Sequence, residues 1–196
     1  FVWGPVGGMG ILTWRFLPKL GPLGALYYFG YNLVNVVQER WLRRPRLAAR
    51  AARGGLIAAT PENRDGALRH WGCPSQVICE VGLPNRTSVE GSVRRVDEPL
   101  RIVWTGLHIS RKALNLGLDA LSMVSGSANW ELHVLGRGPR TSAWVRHARS
   151  NGIYDRCRFH GWLPRDDAIS IMAAAHVMLI TNLRDLTSTV TIEALA

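Results

Sequence analysis

From Arg101 onward the chain repeats one pattern: a short β-branched or aromatic run, a glycine, then a helical stretch. "RIVWTG" ends at Gly106, and Lys112 to Val124 follows with Leu114, Leu118 and Leu121 on one helical face. "WELHVLGRGP" reads as the next strand and its turn, and Ser142 to Ser150 as a helix closed by Asn151-Gly152. "CRFHGWLP" gives a third strand and Asp166 to Ala175 a third helix. "HVMLITN" gives a fourth strand, and the closing stretch begins a fourth helix. Alternation of this kind, with short glycine turns, predicts an α/β fold: a parallel sheet covered by helices. Ligands of such sheets bind beyond the carboxyl ends of the strands. The turns after Trp104, Leu135, Gly161 and Ile180 are therefore expected along one edge, with the functional residues beside them.

The first half reads in the same way. "GGLIAAT" and "SQVICEVGLP" are strands around a helix from Pro61 to Trp71, and "FVWGPVGGMG" is a strand entering a glycine loop. The polar, proline-bounded "PNRTSVEGSVRRVDEP" reads as a linker. The expected organisation is residues 1–84 as the last part of a first α/β domain, 85–99 as linker, and 100–196 as the first part of a second. Both domains are expected to be incomplete, because the chain opens on Phe1 and stops inside a helix. The longest apolar stretch, Leu20 to Val37, is interrupted by Pro22, Asn32 and Asn35, so it reads as a buried or interfacial helix rather than a membrane span.

With a formal net charge of +10, the chain favours anionic partners. Cys73, Cys79 and Cys157 form no C-x-x-C pair, which argues against a disulfide framework or a zinc site and favours a reducing cytosol. Arg43, Arg46, Arg50 and Arg53 share one helical face, suited either to an anionic lipid surface or to plain solvation. No aromatic ladder or known nucleic-acid motif accompanies them, so nucleic acid is not expected as a partner. The histidines lack metal-ligand spacing, no metal site is expected, and all are read as structural.

Candidate chemistry gathers at the predicted strand tips. After "VMLIT" come Asp185, Thr187, Ser188 and Thr189, and Thr187 or Ser188 can cap the following helix. Its first turn offers N–H groups to a phosphate, while Asp185 and Glu193 accept from sugar hydroxyls. The same residues also describe an ordinary capped helix with one buried glutamate. Arg111 and Lys112 stand where a strand exit meets a helix, an unfavourable place for positive charge unless an anion is bound there. Gly7 and Gly8, in "GPVGGMG", let backbone N–H groups approach an anion or a sugar, but the lysine and hydroxyl residue of a P-loop are absent. "LGRGP" lacks the third glycine of a dinucleotide fingerprint and reads as a tight turn.

Taken in order, these stretches resemble the retaining glycosyltransferases of family 4, with the two-domain GT-B fold. "VWTGLHISRKAL" resembles the signature that opens the second domain, with Lys112 at its lysine. "HVLGRGP" and "RFHGWLP" resemble the turns that follow, including Gly106 and Gly161 as turn glycines. "DLTSTVTIEALA" resembles the motif of two acids eight positions apart. "WGPVGG" resembles a cleft-facing loop of the first domain. Two positions depart from the pattern: Asp185 replaces the usual glutamate, and Leu107 replaces an arginine whose charge Arg111 would supply. The resemblance implies two Rossmann-like domains and transfer of a sugar from a nucleotide-diphosphate donor to a carbohydrate or lipid-linked acceptor. Configuration would be retained, with no metal or other cofactor. Lys112, Arg111 and the N–H groups near Thr187 and Ser188 would hold the diphosphate, Glu193 the ribose and Asp185 the donor sugar. It also implies a cytoplasmic protein, peripheral at a membrane in the lipid-facing variant. The alternative is a non-catalytic nucleotide-sugar-binding or membrane-surface relative.

Overall fold

The computed structural model describes residues 1–82, 92–185 and 188–195. Its contacts divide the chain into two units, Phe1–Gly82 with Leu183–Thr189, and Leu83–Asn182 with Val190–Ala196.

In the first unit, β1 (Trp3–Val6), β2 (Leu56–Ala58) and β3 (Gln76–Val77) form a parallel sheet in the order β1-β2-β3. The connection from β1 to β2 contains a 3-10 turn (Trp14–Leu20), α1 (Pro22–Trp41) and α2 (Arg43–Ala51). Thr60 caps α3 (Pro61–Gly66) by accepting from the Asn63 amide at 3.3 Å, Pro61 fills the first helical position, and a π-helical turn (Ala67–Trp71) continues it. Met9, Ala49, Leu56, Ala67, Trp71 and Cys73 make one core cluster, to which Trp3 adds a stacked ring on Trp71. Leu12, Leu20 and Tyr28 make another.

α1 is turned opposite to what its apolar sequence suggests. Its buried residues are Tyr28, Asn32 and Asn35, whereas Leu23, Leu26, Tyr27, Leu33, Val34 and Trp41 are exposed. The asparagines are inside because the glycine loop after β1 needs partners. Asn32 accepts from the Leu12 amide at 3.0 Å and donates to the Leu12 carbonyl at 2.6 Å, as a neighbouring strand would. Asn35 donates to the Gly8 carbonyl at 2.9 Å, and Asn63 accepts from the Met9 amide at 3.0 Å. Buried backbone groups need such partners wherever no ladder reaches them. Among the described residues, no helix is long and apolar enough to cross a membrane.

In the second unit, β4 (Leu100–Thr105), β5 (Trp130–Leu135), β6 (Cys157–Gly161) and β7 (Val177–Met178) are parallel, in the order β6-β5-β4-β7. α4 (Leu114–Met123), α5 (Thr141–Ser150) and α6 (Arg165–Ala174) connect them, and α7 (Thr189–Leu195) follows β7. Ile102 and Trp104 of β4 and Trp130, Leu132 and Val134 of β5 alternate onto one face, where they pack with Leu114 and Leu118 of α4 and Trp144 and Ala148 of α5. The chain builds outward from β4 to β6 and then returns to the other side of β4, so the order reverses between β4 and β7, where such sheets bind ligands. β7 is shorter than its apolar sequence predicts. Ladder pairing ends with the Leu179 amide on the Val103 carbonyl at 2.8 Å, and Thr181 then turns its hydroxyl to the Trp104 indole.

Asn32→Ala leaves both backbone groups of Leu12 buried without a partner, an expected loss of about 2–4 kcal/mol by chemical denaturation. The neighbouring exposed Leu33→Ala is expected to change stability by about 0.5 kcal/mol or less.

Candidate functional site

The strand exits of the second unit come together through glycines. Gly106 has φ +154°, Gly136 φ +106° and Gly161 φ +73°. A Cβ on Gly136 would overlap the Gly106 carbonyl oxygen, and one on Gly138 would lie 2.7 Å from the His108 carbonyl oxygen. The Gly106 amide donates to the Leu135 carbonyl at 3.2 Å, and the Gly136 amide to the Gly161 carbonyl at 2.7 Å. The turns after β4, β5 and β6 are thus one continuous backbone surface.

Lys112 ends a 3-10 turn (Ser110–Lys112) rather than opening α4. Ala113 follows in the left-handed region at φ +44°, a strained conformation for a residue with a Cβ, and there the chain turns into α4. The Lys112 side chain is half-buried and lies along Gly106, with Cε 3.9 Å from where a Gly106 Cβ would stand. Its carbonyl accepts from Thr181 Oγ1 at 2.5 Å, and Thr181 Oγ1 accepts from the Trp104 indole N–H at 3.0 Å. Thr181 therefore ties the Lys112 turn to the exit of β7 across the point where the strand order reverses. The sequence reading missed it; its one signal is a hydroxyl residue ending an apolar strand. Arg111 is half-buried in the same turn.

Glu193 lies in α7 with its side chain 14 % exposed and Oε1 2.6 Å from the Arg165 guanidinium, a close pairing of charges without hydrogen-bond alignment. Asp185, exposed, and Ser188, half-buried, fall in the segment grouped with the first unit, whereas Lys112, Arg111, Gly106, Gly161 and Glu193 belong to the second. Thr187 lies outside the described residues.

In the first unit, Gly7 is exposed, and Gly8 is left-handed at φ +94° with open space where a Cβ would be. Glu62 Oε2 comes within 2.9 Å of the Cβ position of Gly10, so this loop has a carboxylate beside it. Burial, aided by nearby Glu62, pushes the Glu39 carboxyl above its ordinary value, against the opposing charges of Arg40 and Arg184. A loop bordered by carboxylates suits hydroxyl groups better than a phosphate.

The histidines have structural partners. His133 and His160 stack with their nitrogens 3.0 Å apart, and His147 pairs with Asp119 at 2.6 Å. Burial pushes the Cys157 thiol up to about 11, so it is no nucleophile at neutral pH. Among the described residues, no three His, Cys, Asp or Glu side chains group to hold a metal ion.

Residues 99–196 match the family described as glycosyl transferases group 1. Three solved structures share the fold. The chain is 20 % identical to WaaG, a glycosyltransferase involved in lipopolysaccharide biosynthesis, covering 78 % of this chain and 47 % of that one at a TM-score of 0.57. It is 16 % identical to the lipopolysaccharide outer core galactosyltransferase WaaB, covering 71 % and 40 % at 0.57. It is 12 % identical to a mutant of S. aureus TarM in complex with fondaparinux, alpha-GlcNAc-glycerol and UDP, covering 76 % and 29 % at 0.58. The chain therefore spans less than half the length of each. These likenesses bear out the expected α/β architecture of GT-B type with parallel sheets. A search of curated proteins returns no significant match.

Gly136→Ala forces a side chain into the Gly106 carbonyl and is expected to destabilise the protein by about 3 kcal/mol or more. Gly161→Ala meets open space and is expected to lose only the left-handed preference, about 1 kcal/mol. Paired thermal melts of the two variants check this contrast.

Proposed function

The chain belongs to the glycosyl transferases group 1 family, and from that premise we propose that it is part of a retaining, metal-independent enzyme of family 4. This enzyme transfers a sugar from a nucleotide-diphosphate donor to a glycan or lipid-linked acceptor on the cytoplasmic side. The observation that carries the reading is the reversal of strand order between β4 and β7, beside which Gly106 and Lys112 stand. The glycine turns leave backbone accessible to a diphosphate, and Lys112 supplies a point charge from a turn whose main chain Thr181 holds. As the glycosidic bond breaks, charge develops on the leaving diphosphate. A fixed lysine, with Arg111 in the same turn, stabilises it as a metal ion would elsewhere. Glu193 accepts from the donor's ribose, with the Arg165 guanidinium beside its carboxylate. In the first unit, Gly7 and Gly8 border the acceptor, whose hydroxyls suit the carboxylate beside that loop.

Lys112→Ala and Glu193→Gln in the full-length protein are expected to lower kcat/KM by about 10²–10³ while the folded state survives. Donor-turnover kinetics with circular dichroism checks this, and wild-type rates in both variants would sink the reading.

A specific observation also favours membrane contact. The exposed apolar residues of α1 are followed directly by α2, on which Arg43, Arg46 and Arg50 are all exposed. Apolar surface next to arginines suits an anionic lipid interface. Co-sedimentation with vesicles containing phosphatidylglycerol is expected to weaken severalfold in an Arg43→Glu, Arg46→Glu, Arg50→Glu variant. Unchanged sedimentation would remove this part of the proposal.

A further inference from the structure

His108 is buried to 1 % exposure, the one histidine, carboxylate or basic side chain in the buried set of described residues. It follows Gly106 in the turn between β4 and α4, yet its partners lie in the turn after β5. Its amide donates to the Arg137 carbonyl at 3.1 Å, and its carbonyl accepts from the Arg140 amide at 2.9 Å. Nδ1 lies 2.7 Å from Thr141 Oγ1, at the start of α5. The ring packs against Trp104 and Trp144, at centroid distances of 5.4 and 5.0 Å.

The hydrogen bonds choose the tautomer. Thr141 Oγ1 donates its proton to the Gly138 carbonyl at 2.8 Å and accepts from the Gly138 amide at 3.1 Å. It therefore accepts from His108 Nδ1–H, which leaves Nε2 bare in the neutral ring. Nε2 is buried and makes no hydrogen bond. A proton added there would be buried beside the Trp104 and Trp144 rings, a cost offset only in part by the Leu135 carbonyl near the imidazole. The charged side chains of these turns, Arg111, Lys112, Arg137 and Arg140, are all cations, and Arg140 has its own Nε buried and unpaired.

We propose that His108 is a positioning residue: when neutral it locks the turn bearing Gly106 and Lys112 onto the turn bearing Gly136 and Gly138, and protonation loosens that lock. Its effect on function rests on the reading that these turns hold the donor's diphosphate. Burial lowers the His108 pKa below the ordinary 6.5, with the Leu135 carbonyl opposing that shift. The sign follows: a group whose folded pKa is depressed gives its full stabilisation above the unfolded value near 6.5, and loses it as pH falls through the folded value. The lock is therefore intact at neutral pH and fails in acid.

The test compares wild type, His108→Leu and Thr141→Val in the full-length protein. It reads hydrogen exchange at the His108 and Arg140 amides and the affinity for uridine diphosphate, from about pH 7.5 down to about pH 5.5. In wild type, protection at both amides, corrected for intrinsic exchange, is expected to fall by up to about tenfold per pH unit as pH drops from the ordinary value of 6.5 toward the lower folded value. Uridine diphosphate affinity is expected to fall with it. In His108→Leu both quantities are expected to stay flat with pH. Wild-type protection that persists in acid, or the same acid loss in His108→Leu, overturns the proposal. If His108→Leu does not fold, Thr141→Val decides: reduced protection at the two amides at neutral pH supports the lock, and unchanged protection overturns it. Should no uridine diphosphate bind at any pH while exchange behaves as described, the lock stands and the donor-site reading falls.

Discussion

A side chain at Gly136 would overlap the Gly106 carbonyl oxygen, and the Gly136 amide is already held by the Gly161 carbonyl. This contact between backbones fixes the functional edge of the second unit. Neighbouring strands bring their exits within a few ångströms of one another, but only turns without Cβ atoms can close the remaining gap. Once they do, Lys112 has Gly106 to lie against, and the Thr181 hydroxyl reaches the Lys112 carbonyl from the far side of β4. The Trp104 indole, otherwise a buried donor without a partner, is satisfied by the same hydroxyl. The Thr181 bond fixes the main chain from which the Lys112 side chain extends along Gly106.

The first unit meets a different constraint. Its glycine loop is too irregular for a ladder, so side chains replace the missing strand. Asn32, Asn35 and Asn63 hold the backbone of Gly8, Met9 and Leu12. α1 must present its polar residues inward to do this, and its leucines and aromatics then face outward. One requirement explains both the buried polar groups and the exposed apolar stripe.

Much of the second unit was legible because period and punctuation agree. The apolar runs of β4 and β5 lead into a glycine, and the helix between them carries apolar residues at helical spacing, as in Leu114 and Leu118. Lys112 stood out because a cation at that turn is unfavourable without a purpose. Thr181 did not stand out, and His108, near a strand exit, read only as structural. Their roles come from residues far along the chain, Trp104 and Lys112 for one, Thr141 and Trp144 for the other, and no local pattern announces such pairings. The orientation of α1 was hidden for the same reason: Asn32 and Asn35 look like interruptions of an apolar helix until the loop they hold is seen. Glu193 was legible as a carboxylate in the closing helix, but its pairing with Arg165, carried by a different helix, was not.

The central claim is that the glycine-lined exits of β4 and β5, with Lys112 beside them, form a diphosphate site. Titration of the isotopically labelled protein with uridine diphosphate, followed by amide chemical shifts, tests it most directly. The account predicts that the largest, saturable shifts fall on Gly106, Lys112, Gly136 and Gly138, and that they vanish in Lys112→Ala. Saturable binding whose shifts fall elsewhere and leave these four amides unmoved would contradict it.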